Sequence, residues 1–310
     1  MTLREGPTIK KAQPRVQTPD GPQSRIRTNI QKQAESAVET PKGYNFEEAV
    51  SLLEGVDFDL ELARERAIAL HTKLGLVDAL IKKGIIHSSD QYAQLFSEVR
   101  FSKDGLDQVA EKLAQGRQWI PIFNPGNLKL AELWEILIAD QGLDGSKVEA
   151  KYSNKLELDP IERVKRFRPF DTADFRVSEK YKEKHRYAEL SKLGDLHAAA
   201  TEEPQKPEIV FTNDVVEVDA VSKRPVDFIQ DCQEGIRPID LRADLIRWVT
   251  QFHNREKMPD QFISTIYPSW VDNTGNIAIM GVTNGKKALN IQGYYPTHSH
   301  LKVGMRPCLG

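Results

Sequence analysis

Two histidines one residue apart, His298 and His300, stand close to the end of the chain. On a strand that spacing turns both imidazoles to one side, an arrangement able to hold a metal ion. A metal centre needs further ligands, and Asp260 or Asp272 could supply one. The sequence ties neither to the pair, so no metal is expected, and the rings read instead as a solvated or hydrogen-bonded pair. Residues 281–287 (GVTNGKK) have three residues between their glycines where a phosphate-binding Walker A loop has four. They carry Lys287 where that loop has Ser or Thr. The run leads into a strand pattern, so a β-turn fits it better. No HExxH, GxSxG, GxGxxG or EF-hand pattern occurs in the chain. No catalytic residue and no cofactor is assigned, and the expectation is a protein that is not an enzyme. A site around Asp272, His298 and His300 would be the enzymatic exception.

Side chains suited to binding are easier to find. Tyr267, Trp270, Tyr294 and Tyr295 lie among short strands and turns near the end of the chain. Aromatic residues on such segments give a large contact area at low entropic cost. With Asn273, Asn276, Asn284, Asn290, His298 and His300, the pair Tyr294 and Tyr295 makes up the candidate ligand-binding set. Trp270 is read as core. For the two tyrosines, core and surface placements stay open. Elsewhere, residues 163–170 (RVKRFRPF) set four cations, Arg163, Lys165, Arg166 and Arg168, around two phenylalanines. That mixture can contact phosphates while stacking on bases, or it can meet an acidic protein or simply be solvated.

Composition bounds these readings. A chain of 310 residues, 39% hydrophobic and 28% charged, is ordinary for a globular protein. Its net charge of -2 is unevenly spread: residues 1–43 carry eight Lys/Arg against four Asp/Glu, and residues 161–187 nine against five. Attraction to phosphate would therefore be local to two stretches. The start lacks the apolar run of a secretory signal and no window suits a membrane span, so a cytoplasmic protein with no membrane partner is expected. Cys232 and Cys308 lack the spacing of a redox or zinc motif and read as free thiols, although their pairing is open.

The elements that must position these residues fall into four stretches. Residues 1–43 are rich in proline and polar side chains and read as a disordered basic arm. Residues 44–145 show helical periodicity, with Asn45 and Glu48 spaced as a capping box, breaks at Gly55, Gly75, Gly84 and Gly116, and Asn127 placed to cap a last helix. This is expected to be a small all-helical domain, with 119–125 an extended connector. Residues 146–207 have thin apolar content and read as a charged linker with one helical piece near 178–193. From residue 208 the texture becomes α+β: strands at 209–212, 215–221, 262–266, 277–280, 288–291 and 301–303, and a helix begun by Asp240 with one apolar stripe.

The ending, with WVDNTGN at 270–276, the glycines Gly281, Gly285 and Gly293, and GMRPCLG at 304–310, resembles the end of C-type-lectin-like domains. The likeness is to the bacterial and phage versions related to formylglycine-generating enzymes and to retroelement-diversified display proteins. The resemblance implies that residues 304–309 form a terminal strand pairing with the domain's first strand, either 209–211 or 215–218. It makes Arg306 structural, and it leaves residues 273–300 as an exposed, variable face. The calcium-ligand set of true lectins and the paired cysteines of the enzymes are missing, so neither activity is carried over. The chain is thus expected to be a cytoplasmic or phage-associated recognition protein, with a C-terminal α+β module at 208–310 that binds a protein or other macromolecular ligand. The alternative is a nucleic-acid-associated protein using the arm and the basic run.

Overall fold

The computed structural model describes residues 43–143, 160–169, 206–213, 237–255, 264–272, 276–282, 289–294, 303–304 and 306–309. The basic arm through residue 42, the helical piece expected near 178–193 and the strand expected at 215–221 lie outside the described residues.

The first helix, α1 (Phe46–Glu54), starts where the short-range pattern requires. Asn45 accepts from the Glu48 N–H at 2.9 Å, and the Glu48 carboxylate accepts from the Asn45 N–H at 2.7 Å. Such a reciprocal cap contributes about 1 kcal/mol. Helices α2 (Leu60–Lys73) and α3 (Leu76–Lys82) are separated at Gly75, whose φ of 82° suits glycine alone without strain. Then come α4 (Ser89–Ser97), capped by Ser88, and α5 (Lys103–Ala114), capped by Ser102.

The stretch read as a connector is a strand, β1 (Trp119–Asn124). It is followed by α6 (Leu130–Trp134), which continues as a π-helical turn over Glu135–Ala139. Asn127 does not cap this helix; Lys129 occupies the cap position, and Asn127 takes a left-handed conformation in the preceding loop. A short α7 (Pro160–Val164) and β2 (Arg168–Pro169) lie in the stretch read as a linker. Beyond them are β3 (Glu208–Asn213), β4 (Arg237–Pro238), α8 (Leu241–Arg255), β5 (Ser264–Val271), β6 (Ile277–Val282), β7 (Leu289–Tyr294), β8 (Val303–Gly304) and β9 (Pro307–Leu309).

Helices and two small sheets make this a mixed α+β protein. One sheet has the order β1-β3-β9-β4, with every pair antiparallel. The other runs β2-β5-β6-β7 antiparallel, with β8 joined to β5 in parallel. In the first sheet β1 aligns with β3 along its whole length, from Trp119 opposite Asn213 to Asn124 opposite Glu208. Hydrogen bonding therefore runs across the boundary expected between a helical domain and a C-terminal module. Residues Gly43–Gly310 group as one compact unit, and one hydrophobic core extends from Phe46 to Leu309. Pro121 is tolerated because β1 is an edge strand, where a missing N–H breaks no ladder.

Helix α8 departs from the one-stripe expectation. Residues 241–249 are all buried, including Arg242, Asp244 and Arg247. The helix packs on β1 and α6, while Tyr267 of β5 donates to Asp244 within it and Trp270 to Asp240 just before it, so it touches elements of both sheets. Over those nine residues the helix has no solvent face to carry its polar side chains. They must find partners inside the protein.

Candidate functional site

The meander β5–β6–β7 carries the described part of the predicted binding set. Along β7, Leu289 and Ile291 are buried, whereas Asn290 and Tyr294 are half-buried and Gln292 is exposed. Strand geometry puts Asn290, Gln292 and Tyr294 on one face, opposite Leu289 and Ile291. Their cross-strand partners on β6, on that same face, are Gly281, Ile279 and Ile277, respectively; the two isoleucines are buried, so the face is open at Gln292 on the β7 edge and covered over β6. Gln292 completes this strip and was missed at the sequence level. The alternation in LNIQGY was the signal that could have found it. Among the described residues β7 is an edge of its sheet, hydrogen-bonded on one side to β6. Burial raises the Tyr294 phenol above its ordinary value, so the side chain presents a neutral ring with a hydroxyl at neutral pH.

Asn276 works in the turn between β5 and β6. Its N–H donates to Asp272 Oδ1 at 2.9 Å, its side-chain amide donates to Oδ2 at 3.2 Å, and the Asp272 N–H donates to the Asn276 carbonyl at 2.9 Å. Gly293 lies against this staple. A Cβ there would stand 2.6 Å from Asp272 Oδ2 and 2.8 Å from Asn276 Cβ, so the close approach admits only glycine. Of the other predicted ligand-binding residues, Asn273, Asn284, Tyr295, His298 and His300 lie outside the described residues.

A buried polar network fixes the meander to the rest of the molecule. Asp244 accepts from Arg247 Nε and from the Tyr267 hydroxyl, and Arg247 also donates to Gln251. Arg306 donates to the Asn213 carbonyl at the end of β3. Burial alone would raise the Asp244 carboxyl. The Arg247 and Arg306 guanidiniums outweigh it and hold the group below the usual carboxylate range. Tyr267 is pushed well above its ordinary value by burial and by Asp244, which keeps its proton in place. Trp270 is buried, and its indole N–H donates to Asp240 at 2.8 Å while the Arg242 guanidinium lies 5.1 Å from the ring centroid. β5 is thereby pinned to the start of α8.

A cleft of about 800 Å³ lies between the end of α4, the start of β3 and the start of α8. Glu98, Arg100, Lys206, Glu208 and Asp240 line it, and so does the half-buried Cys308. Cys232 lies outside the described residues. Burial, and after it the nearby Asp240, raises the Glu208 carboxyl, although Asn124 donates to it at 2.8 Å. Mixed charges make this a polar cleft without an acid–base pair of defined geometry. No group of three or more His, Cys, Asp or Glu able to hold a metal occurs among the described residues.

In the basic run, Lys165 pairs with Glu162 at 2.6 Å, and Arg166 and Arg168 are exposed. Arg163 lies on α7. Phe167 is 7% exposed and belongs to the core, so it offers no ring face to a base. No helix among the described residues is long and apolar enough to cross a membrane. Compared with known proteins, the chain matches no family model, no curated protein and no solved structure.

Proposed function

We propose that this chain is a non-enzymatic recognition protein whose C-terminal region, of C-type-lectin-like design, binds a protein ligand along the edge of β7. The observation that carries the reading is the strip Asn290, Gln292 and Tyr294. An aromatic hydroxyl and two amides stand on one face of an edge strand whose other face is anchored in the core. Amides and a tyrosine adapt to a partner's hydrogen-bonding groups without the desolvation cost of a charge. The lectin-like reading draws support from β9. It pairs antiparallel with β3, Leu309 opposite Phe211 and Cys308 opposite Thr212, which brings the two ends of the 208–309 stretch together. The Thr212 hydroxyl donates to the Pro307 carbonyl at 2.7 Å and strengthens that junction.

The test uses the full chain, because β1 is part of the sheet that holds β3 and β9. A photo-crosslinking benzoylphenylalanine at position 292 is compared with the same group at Glu65, exposed on α2. A discrete protein adduct specific to position 292, insensitive to nuclease and lost with Tyr294→Ala, is expected. Tyr294→Ala should leave the thermal midpoint nearly unchanged. Equal labelling from both positions, or an adduct indifferent to Tyr294→Ala, would sink the reading.

A further inference from the structure

A trough of about 360 Å³ lies between α2, β1 and α8, away from the β7 strip and independent of the reading above. Its size falls within the range of small-molecule sites and is more than twice the roughly 150 Å³ that accommodates benzene. Phe58, Leu70, Ile122, Phe123 and Ile246 supply apolar walls. Leu62 stands at the lip with 38% exposure, one of two large hydrophobic residues so exposed among those described. The charged lining residues Asp57, Asp59 and Arg66 are all exposed, so the buried part of the trough holds no charge. A charged ligand group placed there would lose its hydration without compensation.

Among the polar groups lining the trough, one buried nitrogen stands without a partner among the described residues. Gln251 is engaged by Arg247, and the Thr250 hydroxyl donates to the Ile246 carbonyl at 2.8 Å. His71 lines the trough, is 1% exposed, and has its Nδ1 2.6 Å from the Tyr92 hydroxyl. Tyr92 is not among the trough's lining residues, so this bond turns Nδ1 away from the trough. Nε2, on the far edge of the ring, has no hydrogen-bond partner among the described residues. A buried nitrogen left this way calls for a partner that the described residues do not supply. Burial keeps the imidazole neutral and the Tyr92 phenol protonated, and among the described residues Nδ1 is the one acceptor that hydroxyl meets, so the hydroxyl donates to Nδ1. In that tautomer Nε2 carries hydrogen and is a donor.

We propose that the trough binds a small, uncharged, largely apolar molecule with one hydrogen-bond acceptor, such as an aryl or alkyl ketone, the acceptor being received by His71 Nε2–H. The probe is Prodan, a fluorescent naphthyl ketone whose emission shifts to the blue in apolar surroundings, titrated into the full chain. A saturable shift is expected. It should be displaced about tenfold more readily by 2-acetylnaphthalene than by 2-ethylnaphthalene, which keeps the shape and lacks the carbonyl. Ala63→Trp, on the trough wall, should abolish the signal, and Leu62→Lys at the exposed lip serves the same purpose if the larger substitution unfolds the chain. In histidine labelled with ¹⁵N, the His71 Nε2 resonance should move with the ketone and stay with the hydrocarbon. The proposal is overturned if Prodan does not saturate, if both wall and lip variants bind it unchanged, or if the ketone and hydrocarbon compete equally. A His71 Nε2 resonance indifferent to the ketone would equally overturn it and assign the nitrogen to a buried water.

Discussion

Arg306 holds its Nε 3.7 Å from Oδ1 of Asp244, and neither side chain has any solvent exposure. Such a pair is costly to bury and repays the cost only through additional hydrogen bonds. Here those bonds tie the last strand to the rest of the fold: Arg306 donates to the Asn213 carbonyl, and its own carbonyl accepts from the Ile239 N–H at 3.0 Å. Strand β9 lies between β3 and β4, so its anchor serves two neighbours at once. Arg306→Ala is expected to cost about 3 kcal/mol or more, because it removes one cation from a carboxylate that stays buried. Urea unfolding measures this directly. A variant with an unchanged midpoint would show that β9 is held by its backbone pairing alone.

His71 makes stability depend on acid. Burial pushes its imidazole down to about 4, whereas in the unfolded chain it takes a proton below about 6.5. Between these values the unfolded state binds more protons, so stability rises with pH across the window and is lost on acidification. The expected loss from pH 7 to pH 4 is about 3 kcal/mol from this residue. His253, also lowered by burial and then by Lys73, contributes in the same direction. His71→Phe should flatten most of the slope in urea unfolding measured at pH 4.5 and pH 7. A slope unchanged by that substitution would assign the acid sensitivity elsewhere.

What could be read from the chain without its structure follows the range of the interactions involved. The Asn45 and Glu48 cap and the break at Gly75 are decided within four residues, and periodicity exposed both. Strand β1 was hidden because its partner, β3, starts more than eighty residues later and because Pro121 argues against a strand unless the edge position is known. The polar residues of α8 were misread for a different reason. A one-stripe template assigns Asp244 and Arg247 to solvent, and only the elements arriving from β5 and β9 turn that face inward. The strip on β7 was half legible. Asn290 and Tyr294 stood out by type, while Gln292 needed the strand's register.

The basic run offers a test of its nucleic-acid reading. Stacking through Phe167 would require that residue to present its ring, yet it is buried in the core while Arg166 and Arg168 face out; Phe170, the run's other ring, lies outside the described residues. Phe167→Ala is therefore expected to destabilise the chain by about 3–5 kcal/mol through the lost burial and the cavity left behind. Any affinity for a single-stranded oligonucleotide should then depend on the run's exposed cations, Arg166 and Arg168 among them, and fade between 50 and 200 mM salt, as contacts limited to phosphate do. Thermal melts and fluorescence anisotropy on Phe167→Ala and on the Arg166→Gln, Arg168→Gln double variant separate the two effects. A Phe167→Ala chain with native stability and weakened, salt-resistant oligonucleotide binding would return the ring to a stacking role and favour nucleic acid as the partner.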